Sequence, residues 1–277
     1  MSETENNTQI DDNEIDLTVV LPACNEEEML GSTITNLITS LDEKKYKYEI
    51  IIVENGSHDG TLRLARMLGA QLPQLRVFTL PVGNYGAALR TGFLATRGQV
   101  VVSFDVDYYD FSFLDKAFEM IIAGTTDVVV ASKRAPGAND QREALRKMVT
   151  GVFTTVLRSL FDMKVTDAHG MKAFRRETVQ KICEQCVTTE SLFEVEMIIR
   201  AGNAGLNLSE IPATVIEQRP ARSHILRRVI TAIPGLFTLQ RALGFPAIKK
   251  IIGIGQKQNN AALKTSRSND SSSTDKS

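Results

Sequence analysis

The first half of the chain alternates short apolar runs with longer segments in which apolar residues recur at helical spacing. The apolar runs are rich in Val and Ile and lie at residues 17–21, 49–53, 76–80, 99–104 and 127–131. Runs of this kind are typical of parallel strands that are buried on both faces. The segments between them predict helices at residues 26–41, 61–68, 85–96 and 111–122. Regular alternation of strands and helices predicts an open α/β sheet.

The second half of the chain has a more mixed pattern. We expect helices at residues 141–160, near 177–186 and near 191–204, and a strand around 208–216. A basic stretch follows with apolar residues at helical spacing, and Pro234 is expected to kink or split its helix. The predicted organisation is an acidic disordered leader (1–16), a main domain (17–223), a basic amphipathic segment (224–254) and a disordered tail (255–277).

Composition places the chain among ordinary globular proteins. It has 277 residues, of which 43% are hydrophobic and 23% charged, with 3 Cys. These values exclude the disordered, collagen-like and disulfide-scaffold classes. The formal net charge of -1 gives no support to a nucleic-acid partner. The charge is unevenly placed, since residues 1–18 contain six acids and no base whereas residues 219–257 contain eight bases and no acid.

The polar, acidic start of the chain has no basic region followed by an apolar run, so we expect no cleaved secretory signal and a cytoplasmic protein. Arg227, Arg228 and Arg241 interrupt the segment at 225–243. Its uninterrupted apolar stretch, residues 229–239, is well short of the about 20 residues that span a bilayer. Cys183 and Cys186 form a CxxC, for which a redox pair, half a zinc site and two buried thiols on one helix face are the alternatives. The only other Cys is distant in sequence, which favours two buried thiols.

Polar and glycine-rich segments follow four of the predicted strands, at residues 22–27, 54–60, 83–86 and 105–107. In open α/β sheets, ligands bind beyond the carboxyl ends of the strands. Asp105 and Asp107 should point to the same side, because side chains alternate along a strand. Like charges so placed are costly unless a cation lies beside them, which favours Mg²⁺ or Mn²⁺ bound together with substrate phosphates. A turn or a helix cap is the alternative, and Asp110 is a candidate cap for the next helix.

The small residues at 83–88 open a predicted helix. They could bring backbone N–H groups to a phosphate, or they could serve only helix packing. The segment lacks GxGxxG, which disfavours a dinucleotide-binding dehydrogenase.

Residues 17–220 resemble the family 2 glycosyltransferases, and within them the polyprenyl-phosphate sugar transferases such as dolichol-phosphate mannose synthase. The resemblance is carried, in order, by VVLPACNEEE, IIIVENGSHDGT, GNYGAALRTGF, VVSFDVD, TDAHGMKAFRRE and IPATVIEQRPARS. It implies a GT-A-type α/β fold, with a Rossmann-like, mostly parallel sheet and helices on both faces. It also implies an inverting transfer of a sugar from a nucleotide diphosphate sugar, with residues 17–223 as the catalytic domain.

The resemblance also assigns residues to the donor site. Asp105, Val106 and Asp107 match the metal and diphosphate motif. Lys133 takes the place of an Arg that commonly contacts the donor phosphates, and Arg219 with Ser223 matches a late basic element. The remaining positions implied to bind the donor are Pro22, Cys24, Glu26, Val53, Glu54 and Asn84.

Some positions depart from the family pattern. The usual Asp-Asp after the second strand is Glu54-Asn55 here, which leaves open whether the donor is a GDP- or a UDP-sugar. Tyr109 stands where polyprenyl-phosphate enzymes often carry Gln, so the sugar also stays open. The segment at 167–170 is one residue shorter than the common form. Its His169 is an acceptor-side contact or a structural residue.

The resemblance and the charges together predict the reaction. Mg²⁺ or Mn²⁺, with Lys133 and Arg219, would stabilise the leaving nucleoside diphosphate. A polyprenyl phosphate acceptor is already a competent nucleophile without a general base. The local surplus of bases favours this acceptor, and the acceptor-side candidates are Arg142, Arg146 and Lys147.

Three other functions stay open at this point. A soluble family 2 enzyme acting on a hydroxyl of a saccharide or small metabolite would need a base, for which Asp167 and Glu194 are the candidates. A non-catalytic binding or scaffold protein and a nucleotidyltransferase are the other two. The segment at 224–254 either lies on a membrane surface, making the protein peripheral at the cytoplasmic face, or packs on the catalytic domain.

Overall fold

The computed structural model describes residues 15–141, 144–190, 192–215 and 225–244. For residues 146, 215 and 225–233, only the backbone is described. Most of the predicted leader, all of the predicted tail, and Arg142, Arg219 and Ser223 lie outside the described residues. The first half contains β1 (Leu17–Ala23), α1 (Glu27–Glu43), β2 (Tyr48–Asn55), α2 (Thr61–Gln71), β3 (Leu75–Leu80), α3 (Tyr85–Leu94), β4 (Val100–Ser103), α4 (Phe111–Ile122) and β5 (Val128–Ser132). The second half contains β6 (Asn139–Asp140), α5 (Ala144–Phe161), β7 (Lys172–Arg175), α6 (Arg176–Gln185), α7 (Phe193–Asn203), β8 (Leu208–Pro212), β9 (Thr214–Val215) and α8 (Ile225–Leu243).

The main sheet of the described residues has seven strands in the order β3-β2-β1-β4-β7-β5-β8. β7 runs antiparallel to both of its neighbours, and every other pair in this sheet is parallel. The chain winds outward from β1 through β2 to β3 and then returns to place β4 on the other side of β1. This reversal creates a switch point between β1 and β4, where open α/β sheets bind their ligands.

Helices cover both faces of the sheet. The side chains of β1 alternate between the two faces, so that Val19 and Leu21 join a core with α1, α2 and α4. Val20 lies in the opposite core, with residues of α3, α5, α6 and α7. Burial on both faces explains why these strands read as continuous apolar runs. The predicted fold is confirmed: a mostly parallel α/β sheet with helices on both faces.

Three details differ from the pattern-based prediction. The strand expected at 208–216 is two strands, because Pro212 cannot donate to a ladder and β9 pairs with β6 instead of the main sheet. β7 was not expected, since Lys172 and Arg175 interrupt its short apolar pattern. The last helix is not split by Pro234, because α8 continues through it; a proline removes one backbone donor without necessarily ending a helix.

The CxxC cysteines are both buried, as predicted, but they do not share a helix face. Cys183 lies in α6, whereas Cys186 follows its last residue in an extended conformation, and both thiols are free. Burial raises the pKa of each thiol, which makes both unreactive. Among the described residues, no helix is long and apolar enough to cross a membrane.

Candidate functional site

The loops that follow β1 and β2 are joined by hydrogen bonds. The Asn25 backbone N–H donates to Ser57 Oγ over 3.0 Å, and the His58 N–H donates to Asn25 Oδ1 over 2.9 Å. Asn25 adopts a left-handed backbone conformation with φ of 57°, which Asn tolerates better than most residues. The Glu26 N–H donates to Thr61 Oγ1 over 2.8 Å. These bonds hold the two loops side by side at the carboxyl edge of the sheet.

Glu54 and Asn55 end β2 inside the protein. The Glu54 side chain is buried and accepts a hydrogen bond from the Ser57 N–H over 2.6 Å. Asn55 Oδ1 accepts from the Asn84 N–H over 2.6 Å, which ties the loop after β2 to the loop after β3. Gly56 lies between these loops with φ of 63°, and a Cβ there would come within 2.7 Å of the Gly83 nitrogen. Only glycine meets both requirements.

The loop after β3 is closely packed as well. Asn84 caps α3, since its side chain accepts a hydrogen bond from the Ala87 N–H over 2.9 Å. A Cβ on Gly86 would lie 2.3 Å from the Thr189 carbonyl oxygen, so this glycine is needed for packing against the loop before α7. The small residues therefore serve packing. We refer to residues 22–27, 54–60 and 83–86 as the strand-end loops.

Asp105 and Asp107 lie in a tight turn beyond the end of β4. The turn is closed by two backbone hydrogen bonds between Asp105 and Tyr108, of 3.1 and 3.2 Å. Thr33 Oγ1 of α1 donates to the Val106 carbonyl oxygen over 2.7 Å and fixes the turn from the buried side. The capping role considered for this segment belongs to Asp110, which accepts from the Ser112 N–H over 2.8 Å.

The carboxylate of Asp105 lies in a strongly negative environment. Tyr85 Oη donates to its Oδ1 over 2.8 Å. Burial, followed by the nearby carboxylate of Glu194, raises the pKa of Asp105 to about 6. Burial and the carboxylates of Asp105 and Glu194 also raise the pKa of the Tyr85 hydroxyl well above 10, although its ring is partly exposed. Acidic oxygens crowded together in this way favour a cation between them.

The oxygen ligands present suit a hard divalent ion only in part. No group of three or more His, Cys, Asp or Glu side chains within the described ranges is arranged to hold a metal. Mg²⁺ commonly binds through one or two carboxylates and completes its shell with water and substrate phosphates. The Asp105 and Asp107 pair fits that second arrangement.

A group of buried charges lies on the other side of Asp105. Lys172 of β7 is buried and forms an ion pair with Glu194, in the first turn of α7. Lys172 Nζ also donates to the Gly170 carbonyl oxygen over 2.9 Å. The positive charge of Lys172 acts to lower the pKa of Asp105, whereas Glu194 acts to raise it. Glu194 is therefore electrostatically linked to Asp105 while its own carboxylate is occupied by Lys172.

A second ion pair completes this group. Lys133 Nζ lies 3.6 Å from Asp167 Oδ2 and donates to the His169 carbonyl oxygen over 2.9 Å. Burial tends to raise the pKa of Asp167, but Lys133, His169 and a backbone hydrogen bond outweigh it and lower the value below 3.8. Burial lowers the pKa of His169 below 6.5. We refer to Lys133, Asp167, His169, Lys172 and Glu194 as the ion-pair cluster.

A model described as Glycosyl transferase family 2 matches residues 18–183, which include β1 to β7, both strand-end Asp residues and most of the ion-pair cluster. The chain belongs to glycosyl transferase family 2.

Curated members of the family resemble this chain over most of its length. A dolichyl-phosphate beta-glucosyltransferase of Trichomonas vaginalis is 31% identical over 209 residues, covering 71% of this chain and 64% of the relative. The glycosyltransferase AglD of Haloferax volcanii is 28% identical, covering 72% of this chain and 32% of the relative. The dolichyl-phosphate beta-glucosyltransferase of Saccharomyces cerevisiae is 29% identical, covering 74% and 68%. The chain thus spans less than two thirds of the first two of these proteins.

Solved structures share the fold. Glucosyl-3-phosphoglycerate synthase from Mycobacterium tuberculosis, in complex with Mn²⁺, UDP and glucosyl-3-phosphoglycerate, superposes with a TM-score of 0.60 at 22% identity. The match covers 84% of this chain and 82% of that one. Another structure of the same enzyme, with Mg²⁺ and UDP, has a TM-score of 0.61 at 21% identity.

The residues that the sequence predicts for the donor and acceptor sites differ in burial and in position. Pro22, Val53 and Glu54 are buried at the ends of β1 and β2, whereas Cys24 and Glu26 are partly exposed. Asn84 and the turn from Asp105 to Asp107 lie at the same edge of the sheet, through the contacts described above. Lys133 lies apart from the strand-end loops, within the ion-pair cluster. Lys147 is exposed on α5, and Arg146 is described only as backbone.

Two members of the site were missed in the sequence. Tyr85 belongs to the motif GNYGAALRTGF, but the sequence pattern does not indicate that its hydroxyl reaches Asp105. Lys172 could have been predicted to form an ion pair, because it lies inside the apolar segment MKAF. A lysine that is buried with such a segment needs a charged or hydrogen-bonding partner. Glu194 was considered only as a base for a hydroxyl acceptor.

Proposed function

We propose that this protein transfers a hexose, with inversion, from a nucleotide diphosphate sugar to a polyprenyl phosphate. Family membership supports the glycosyl transfer. The names of the dolichyl-phosphate beta-glucosyltransferases among its relatives support a lipid phosphate acceptor and suggest glucose as the sugar.

One observation in the site carries the choice of acceptor. A hydroxyl acceptor needs a general base, and the two candidates are both engaged: Asp167 is paired with Lys133, and Glu194 is paired with Lys172. The lowered pKa of Asp167 makes it a weaker base still. A phosphate monoester is largely ionised near neutral pH and needs no proton removed before it attacks. The arrangement therefore favours a phosphate acceptor over a hydroxyl.

The donor would bind along the strand-end loops. Pro22, Cys24, Glu26, Val53 and Glu54 would surround the nucleoside, and Asn84 would lie near the diphosphate. The UDP in the structural neighbours supports UDP over GDP as the nucleotide. Lys133 and Arg219 would stabilise negative charge on the leaving diphosphate.

Mg²⁺ or Mn²⁺ would be held by Asp105 and Asp107, with remaining ligands from the donor phosphates. When bound, the ion supplies positive charge that stabilises the departing nucleoside diphosphate. The Tyr85 hydroxyl orients the Asp105 carboxylate, and Thr33 holds the turn that carries both aspartates. The protein itself would be peripheral, at the cytoplasmic face of a membrane.

The test supplies radiolabelled UDP-glucose and GDP-mannose to the full chain with Mn²⁺, with and without detergent-solubilised polyprenyl phosphate, followed by organic extraction. We expect label in the organic phase only when polyprenyl phosphate is present, and more from UDP-glucose. The same incubation with a polyprenyl alcohol is the matched control for a hydroxyl acceptor. Label that reaches only a water-soluble saccharide, or reaches the alcohol equally well, would overturn the proposed acceptor.

A further inference from the structure

Helix α5 exposes a stripe of large apolar side chains. Leu145, Met148, Val152 and Val156 are 57%, 61%, 61% and 40% exposed. Their spacing of three, four and four residues places them on one side of the helix. At 1.5 Å per residue, the stripe is about 16 Å long. Other strongly exposed apolar side chains among the described residues are scattered over other elements, as is normal for a protein surface.

The stripe is distinct from the face by which α5 joins the core. Leu157 and Phe161 are fully buried, in the hydrophobic core that also contains residues of β5 and α7. A surface helix needs only one apolar face to hold it in place. The elements that the structure describes leave the stripe exposed, and it therefore marks a surface that can be covered by something else.

The charged residues of α5 itself are all bases. The sequence of α5 contains no Asp or Glu, and Lys147 and Arg158 are both exposed. At about 100° per residue, Lys147 and Arg158 lie together on the flank between the core face and the stripe, about 80 to 100° around the helix from Met148, the nearest stripe residue. An apolar face with bases on its flank is found in helices that lie in the headgroup layer of a membrane.

The helix lies beside the ion-pair cluster. The ring centroid of Phe153 is 6.3 Å from that of His169. The Arg134 guanidinium packs so closely on Gly151 that a Cβ there would lie 2.7 Å from its Nη1. α5 thus connects the exposed stripe to the part of the site where Lys133 and Asp167 are found.

We propose that the exposed face of α5 docks on an anionic bilayer, with the four apolar side chains in the headgroup layer and Lys147 and Arg158 against lipid phosphates. This inference rests on the proposed lipid acceptor, because it explains how a phosphate in the membrane plane reaches the site. The proposed surface belongs to α5, and α8 of the basic segment contacts this helix. A second copy of the chain is a poorer occupant, since a twofold contact through α5 would bring the same bases together without any acid on the helix to offset them.

The test is flotation of the full chain with vesicles of phosphatidylcholine alone or mixed with phosphatidylglycerol. Met148→Ser with Val152→Ser should lower partitioning by about tenfold or more, given the apolar groups withdrawn from the headgroup layer. Arg158→Glu should weaken binding only to the anionic vesicles. The matched control is Met67→Ser with Ile122→Ser, which removes similarly exposed apolar side chains from α2 and α4 and should float like the parent chain.

Three further measurements separate this inference from the proposed function. Binding of UDP-glucose with Mn²⁺ reports the donor site alone, and it should be unchanged in the α5 variant. Transfer to polyprenyl phosphate embedded in vesicles should fall, while transfer to a short prenyl phosphate that stays in solution should persist. Light scattering reports the oligomeric state. Equal flotation of parent and α5 variants, or a dimer that the α5 variant converts to monomers without loss of flotation, would overturn membrane docking through α5 even if transferase activity is confirmed.

Discussion

The two sides of the site are held together by different interactions. The strand-end loops are joined by hydrogen bonds between side chains and backbone N–H groups, as from His58 to Asn25 and from Asn84 to Asn55. The ion-pair cluster is instead built from buried charges, with Lys172 on Glu194 and Lys133 near Asp167. Loops held by hydrogen bonds to backbone N–H groups can surround a neutral nucleoside, whereas compensated buried charges can surround a reaction in which charge moves. Asp105 lies where the two regions meet.

The largest effect is expected at that meeting point. If Asp105 and Asp107 hold the metal as proposed, Asp107→Asn should lower sugar transfer by about a hundredfold to a thousandfold, because one of the two carboxylates is lost where the leaving group gains charge. Initial rates with Mn²⁺ and UDP-glucose measure the loss. The increase in melting temperature caused by donor plus Mn²⁺ should shrink in parallel.

Asp115→Asn is the matched control for this substitution. Asp115 is a partly exposed aspartate on α4 that pairs with Lys44 over 2.5 Å, away from the turn after β4. Its loss should leave the rate near that of the parent chain. An Asp107→Asn variant that retained full metal-dependent transfer would remove the aspartate pair from the reaction.

The second-largest effect is expected in the ion-pair cluster, where the stability of the fold should depend on each buried charge having a partner. Glu194→Ala leaves the Lys172 ammonium buried without its partner, and should lower the free energy of unfolding by about 3 kcal/mol or more. Urea unfolding of each variant measures this value. Replacing both partners, with Lys172→Met and Glu194→Leu, should recover much of the loss because no buried charge is left.

Sugar transfer by the double variant shows whether the Lys172–Glu194 pair only stabilises the fold or also acts on Asp105. If the pair only supports the fold, transfer recovers with stability. If it tunes Asp105, transfer stays low and its pH dependence changes, since Glu194 and Lys172 act on the pKa of Asp105 in opposite directions. A double variant as unstable as Glu194→Ala would contradict the view that an uncompensated charge causes the loss.

The strand-end loops were largely predictable and the ion-pair cluster was not. Parallel strands buried on both faces have a strong sequence signature, and polar residues that follow them must meet at one edge of the sheet. Lys133, Asp167 and Glu194 come together through β5, the segment before β7 and α7, which are far apart in the chain. No local periodicity encodes such a contact. The hydrophobic pattern also does not predict that β7 inserts antiparallel between β4 and β5, and this insertion positions Lys172.

Asp167 gives a smaller effect with a defined pH dependence. The pKa of Asp167 is lower in the folded chain than the ordinary value of 3.8. The ionised carboxylate therefore stabilises the fold fully at pH values above 3.8, and this stabilisation is lost as the pH falls through the pKa of the folded state. Asp167→Asn should therefore cost about 2 kcal/mol near neutral pH, through loss of a charged partner for Lys133. The difference from the parent chain should narrow below pH 3.8.

Urea unfolding at about pH 7 and at successively lower pH measures this difference. Asp115→Asn again serves as the control, because a partly exposed pair contributes little at either pH. A gap between Asp167→Asn and parent that widened on acidification would contradict the sign of the pKa shift.

The smallest effect returns to the strand-end loops, at Asn84. Its side chain caps α3, so Asn84→Ala should lower the free energy of unfolding by about 1 kcal/mol, whereas Asn84→Ser retains a capping oxygen and should cost only a few tenths. The same pair of variants tests whether Asn84 also contacts the donor. If it only caps the helix, the donor Kd stays the same in the parent, Ala and Ser variants, because a loss of about 1 kcal/mol leaves the protein folded. If its amide also contacts the diphosphate, Ser restores stability but leaves the donor Kd raised, because the hydroxyl is too short to replace the amide. Equal donor affinity in parent, Ala and Ser variants would confine Asn84 to the helix cap and leave the binding of the diphosphate to the turn after β4.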